Sequence, residues 1–172
     1  MSKFGENSLL KNILQSLPLL ILFVSVFNEF DANYFGIPFL SFNFAYILIF
    51  FWTLKKIEYF GYGLIFLAGI INDVVTGAPI GLSSFSYMLI CVATSYIRSI
   101  TLRPNITKDW IFFLITISCV NSIYYMILSY FFMLNIDYRF LLTNNFATFL
   151  IFFLFYFIFN IYYKKFFRKS DV

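Results

Sequence analysis

The side chains in this sequence best placed to do chemistry lie in one stretch, GIINDVVTGAPIGLSS, residues 69–84. A carboxylate, Asp73, follows Asn72 at the end of a long apolar run, and Gly77, Pro79 and Gly81 come directly after it. An ionisable group at membrane depth is expensive and needs a partner or a watery cavity. Gly77 permits a positive-φ turn, Pro79 cannot continue a helix, and Gly81 is expected to let the next helix approach closely. Gly69 and Asp73 stand one helical turn apart, so a small residue and a carboxylate share a face. Asn72 can cap a helix or pair with backbone groups. The candidate site is therefore Gly69, Asn72, Asp73, Gly77, Pro79, Gly81 and Leu82. Three functions fit these residues: a solvated acid beside an ordinary turn, a proton or cation site, and a docking surface for a partner's membrane segment. A transporter normally needs more than one polar group at depth. The other candidates, Asn43, Asn121 and Asn145, are neutral amides better suited to joining helices.

Other chemistry is excluded by residue type. The chain has no His and two Cys, Cys91 and Cys119, both inside apolar runs and expected to be buried, inert thiols. No metal-ligand spacing or disulfide framework exists, so no metal and no cofactor is expected. Asp109, Asp137 and Glu58 have cations nearby and read as solvated loop acids. The tripeptide NIT at 105–107 matches a glycosylation acceptor but falls on the cytoplasmic side of the topology below. With no His, no paired catalytic carboxylates and no phosphate loop, an enzyme has no residues to carry it.

The elements that must position the elbow are membrane helices. Of the 172 residues, 62% are hydrophobic and 12% charged, against about 25% charged in a soluble domain. Six apolar runs stand out, at about 13–28, 38–54, 59–75, 82–97, 110–134 and 141–163. They lack the alternation of barrel strands, and helices satisfy their own backbone in hydrocarbon. The fold class is thus all-α, a single polytopic domain of six transmembrane helices. The first run lacks a cleavage site and reads as a retained anchor. Eleven of the 12 Lys and Arg fall in the N-terminal arm, the second-to-third loop, the fourth-to-fifth loop and the tail, leaving Arg139 alone on the other side. Both termini are therefore expected in the cytoplasm. The tail YYKKFFRKS reads as the signal that fixes orientation rather than a nucleic-acid patch, and Trp52, Trp110, Tyr59, Tyr162 and Tyr163 as an interfacial belt. Span three is short if it stops at Asn72: at about 1.5 Å per residue it rises roughly 21 Å, less than the hydrocarbon core.

The string GIINDVVTGAPIGLSSFSYML, the six runs and the cytoplasmic tail resemble MreD, the rod shape-determining membrane protein family of bacteria. That family's G-x-x-x-D…G-x-P-x-G-L pattern is carried here by Gly69, Asp73, Gly77, Pro79, Gly81 and Leu82, followed by Tyr87. Pro18 in the first span, and Pro38 with Trp52 in the second, also match. The resemblance implies a non-enzymatic scaffold of the elongasome in the inner membrane, partnering an MreC-like bitopic protein. Through that partner it implies links to MreB, RodA and a class B penicillin-binding transpeptidase. The family's fold is similar to the S components of energy-coupling-factor vitamin transporters, so a substrate-binding S component is the alternative. Its expected late-helix contacts reduce here to Asn144, Asn145 and Asn160. On the scaffold reading, Asp73→Ala is expected to reach the membrane normally but lose the partner, and Gly81→Leu to lower protein level by separating two helices.

Overall fold

A computed structural model of the chain describes residues 16–26, 42–56, 61–101, 105–133 and 138–166. The described residues form six helices and no strand: α1 (Ser16–Val26), α2 (Phe44–Lys56), α3 (Tyr62–Thr76), α4 (Leu82–Ile100), α5 (Ile106–Phe132) and α6 (Tyr138–Phe166). Local signals set several ends. Asn43 Oδ1 accepts the Tyr46 N–H at 3.2 Å and starts α2. Asn105 Oδ1 accepts the Thr107 N–H at 3.1 Å and starts α5 at Ile106, four residues before the expected span. The asparagine that resembled a glycosylation acceptor is therefore a helix cap. Residues 38–41, Glu58, Tyr59 and Asp137 lie outside the described residues.

Helix α2 is the axis of the bundle. Every residue from Phe44 to Thr53 is buried. A helix apolar on all sides needs cover on all sides. Helices α4 and α6 flank it, and α5 reaches it through Phe50 and Phe113, whose rings lie 5.0 Å apart. It runs parallel to α6. Asn43 N–H donates to Thr148 Oγ1 at 3.0 Å near one end, and Trp52 packs edge-on against Tyr162 at the other. Phe113 and Phe152 stack at 4.1 Å, closing an aromatic core with Phe50, Phe51 and Tyr156.

Two expectations about side chains change. Trp52 belongs to the core, 1% exposed, and not to an interfacial belt. Its indole fits against Tyr162 and Tyr163, so the packing of α2 on α6 takes it into the core. Cys91 is buried as expected, but Cys119 is exposed.

Helices α5 and α6 are long and apolar enough to cross a membrane, and only 28% of each apolar window is buried. Leu142, Phe146, Leu154, Phe157, Ile158 and Ile161 of α6 all point outward. A core helix of a water-soluble domain would hide such a surface, because exposed apolar area of this extent invites association. The described part of α1, and helices α2 and α3, are shorter apolar segments.

Candidate functional site

The candidate residues converge where α3 meets α4. Gly69 lies against the next helix: a Cβ built on it would stand 2.5 Å from Ser84 N and 2.7 Å from Ser84 Oγ. No side chain fits there, so the backbones touch. Ser84 Oγ donates to the Phe66 carbonyl at 2.9 Å, which ties the same crossing. One turn later, Asp73 is fully buried. Its two oxygens accept backbone amides from beyond the turn, Oδ2 from Gly81 at 2.7 Å and Oδ1 from Ser83 at 2.9 Å. Asn72 Nδ2 donates to Ser83 Oγ at 2.9 Å.

Asp73 is thus the cap of α4, supplied from α3. The cap position of α4 is Gly81, which has no side chain to offer. The first amides of a helix have no partner within it, and the helix dipole places partial positive charge there. A carboxylate meets both needs. The solvated reading of Asp73 is overturned by its burial, and both oxygens are already engaged by the chain's own amides. Gly77, at φ 68°, ends α3 in the left-handed conformation, and the Ala78 N–H reaches back to the Asp73 carbonyl at 3.0 Å. The Leu82 N–H bonds the Pro79 carbonyl at 3.2 Å, and the Leu82 side chain is buried.

Gly81 serves a different purpose from the one expected. A Cβ there would meet nothing within 4 Å, but its φ is +97°. It is glycine for its backbone angle, and Gly69 is the residue of close approach. The serines were missed in the sequence. The string GLSS after the turn supplies both the Ser83 amide and the Ser84 contact. Single serines are too common for that to be a signal alone. Beyond the capped turn, Val74 and Ile80 stand 66% and 77% exposed, with Val75 beside them, as an apolar rim.

Beside the elbow is a cavity of about 320 Å³ lined by residues of all six helices and the segments that adjoin them. Its polar wall includes Asn43, Asn72, Thr76, Ser83, Tyr125 and Asn144. Asn121, which also lines it, donates from Nδ2 to Asn145 Oδ1, joining α5 to α6.

A second polar cluster occupies the opposite end of the bundle. Asp109 is 1% exposed in the first turn of α5 and accepts the Tyr156 hydroxyl at 3.2 Å. It is not the solvated loop acid the sequence suggested, because α5 begins early enough to carry it against α6. Lys55 Nζ lies 5.6, 5.5 and 5.9 Å from the ring centres of Phe51, Tyr156 and Tyr163. The three π-faces hold the ammonium over the same tyrosine that bonds Asp109.

Among the described residues, no group of three or more His, Cys, Asp or Glu is placed to hold a metal ion. No protein-family model, no curated protein and no solved structure matches the chain.

Proposed function

We propose that this chain is a scaffold of the MreD kind, working without turnover in the bacterial inner membrane. Its six helices cross the bilayer, with both termini cytoplasmic. It holds an MreC-like bitopic partner and, through it, serves the machinery of lateral wall synthesis: MreB, RodA and a class B penicillin-binding transpeptidase. The observation that carries this reading is the self-capped elbow. A carboxylate engaged by its own backbone is a building element and not a reactive group. The rigid turn it makes leaves an apolar rim, Val74, Val75 and Ile80, free for a partner's helix.

The membrane setting draws on the apolar outer faces of α5 and α6 and on the eleven-to-one split of cations. The 15 residues of α3 rise about 22 Å, short of a hydrocarbon core of roughly 30 Å. The outer end of α3 therefore sits below the headgroups or draws the bilayer thin around it. The two amides that the Asp73 carboxylate accepts lower the cost of that depth.

The test is co-purification from native membranes. Recovery of a bitopic MreC-like protein, lost when the Val74, Val75 and Ile80 rim is made polar, supports the scaffold. A second reading, the substrate-binding S component, is favoured by the polar cavity beside the elbow. Recovery of an ATPase pair with a transmembrane coupler, in place of the bitopic protein, would overturn the scaffold in its favour.

A further inference from the structure

We propose that the cavity beside the elbow is a binding site for a neutral sugar ring. The inference stands on the cavity and not on the scaffold reading.

Three features of the wall select this chemistry. The first is charge. Among the described residues no Lys, Arg, Asp or Glu lines the cavity, and the nearby carboxylate of Asp73 is closed off by the Gly81 and Ser83 amides. A charged ligand would lose its hydration there without gaining a counter-ion. The second is polarity. Amides and hydroxyls reach the cavity from several helices: Asn43 at the start of α2, Asn72 and Thr76 from α3, Tyr125 from α5 and Asn144 from α6. Asn72 uses Nδ2 on Ser83, which leaves its Oδ1 as an acceptor, and the Tyr125 hydroxyl has no bond among the described residues. A purely apolar ligand would leave the Asn72 Oδ1 and the Tyr125 hydroxyl unmatched. The third is the ring content. Tyr46, Tyr87, Tyr124 and Tyr125 bring aromatic surface to the wall beside the amides. A sugar offers what this combination asks for: hydroxyls that both donate and accept, and a C–H face that packs on a ring. The volume, about 320 Å³, lies at the small end of ligand cavities, roughly 300–1,000 Å³.

The same ring could arrive free from the aqueous side or as the headgroup of a glycolipid. The test uses the purified full-length chain in nanodiscs of phosphatidylcholine, prepared without sugar-based detergent. The probe is a fluorine-labelled methyl glucoside, followed by ligand-observed NMR. Competitors are methyl glucoside, dodecyl glucoside, glucosamine as the cation and glucuronate as the anion. Saturable binding is expected, displaced by both neutral glucosides and at least tenfold less well by either charged sugar. Tyr125→Phe should weaken binding about fivefold, the loss of one hydrogen bond. Tyr125→Trp should abolish it by filling the space, with the melting temperature of each variant checked against wild type. Displacement by dodecyl glucoside at tenfold lower concentration than methyl glucoside identifies a lipid-borne sugar, and equal displacement a free one. No saturable binding, equal competition by the charged sugars, or unchanged binding in a folded Tyr125→Trp protein would each overturn the proposal.

Discussion

Gly69 and Ser84 meet backbone to backbone, and the space between them admits no Cβ. Gly69→Ala should therefore force α3 and α4 apart, at a cost of about 1–3 kcal/mol for overpacking. Gly63, on the same helix, has nothing within 4 Å of an added Cβ. Gly63→Ala should be neutral or stabilise by up to ~1 kcal/mol. Unfolding in mixed micelles by titrated SDS separates the two. Equal stability of both variants would mean the helices are not in contact at Gly69.

Asp73→Ala removes the acceptor for two amides, at ~1–3 kcal/mol for each one left unmatched. Protein level in the membrane should fall, contrary to the expectation that this change spares insertion. The burial of Asp73 and its place as the cap of α4 are the reason for the reversal. Asp73→Asn keeps one acceptor oxygen and should lie between wild type and Ala. Immunoblots of membrane fractions, with SDS unfolding of the purified variants, provide the measurement. Normal level and stability for Asp73→Ala would remove its capping role.

Gly81 tests backbone angle against bulk. Because its surroundings are open, Gly81→Ala and Gly81→Leu should cost nearly the same, about 1–2 kcal/mol for a left-handed residue. Gly81→Asn should cost less, since Asn tolerates that region. A Leu variant much worse than the Ala variant would restore close approach as the reason for this glycine.

At the other end of the bundle, Asp109→Ala and Tyr156→Phe each remove one partner of a single hydrogen bond. A double-mutant cycle of unfolding free energies should give a coupling of about 0.5–3 kcal/mol. Lys55→Met keeps the apolar stem and loses the charge over three rings, so it should destabilise by about 0.5–2 kcal/mol. Strict additivity of Asp109→Ala with Tyr156→Phe would show that the two do not interact in the folded chain.

The elbow was legible because Gly, Pro, Asn and Asp each restrict the backbone in a way that spacing alone reveals. The acid, the turn and the small residue one helical turn before it form one unit in the structure. What spacing could not tell was which glycine served which purpose. Gly69 and Gly81 are the same letter, one needed for the space it leaves and the other for its angle. The helical class followed from apolar runs without alternation. The arrangement of those runs did not. The runs at 38–54 and 141–163 are equally apolar, yet α2 is enclosed and α6 turns much of its surface outward. Hydropathy measures affinity for any apolar surroundings, and lipid and protein interior are alike in that respect. Asp109 was misread for a related reason. Its neighbours Lys108 and Arg103 suggested solvent, and only the three-dimensional approach of Tyr156 shows otherwise.

The enclosure of α2 bears on the order in which the chain can be assembled. α2 leaves the ribosome second, but α4, α5 and α6, which cover it, are made later. Until they arrive, the Thr53 hydroxyl has no Cys91 sulfur beside it (3.8 Å in the finished bundle) and Trp52 has no tyrosines to pack against. The newborn α2 lacks that cover while the helices that supply it are synthesised. Its enclosure is thus completed only when α6 is made, and a chain that ends before residue 138 leaves one side of its central helix, the side that α6 covers, open.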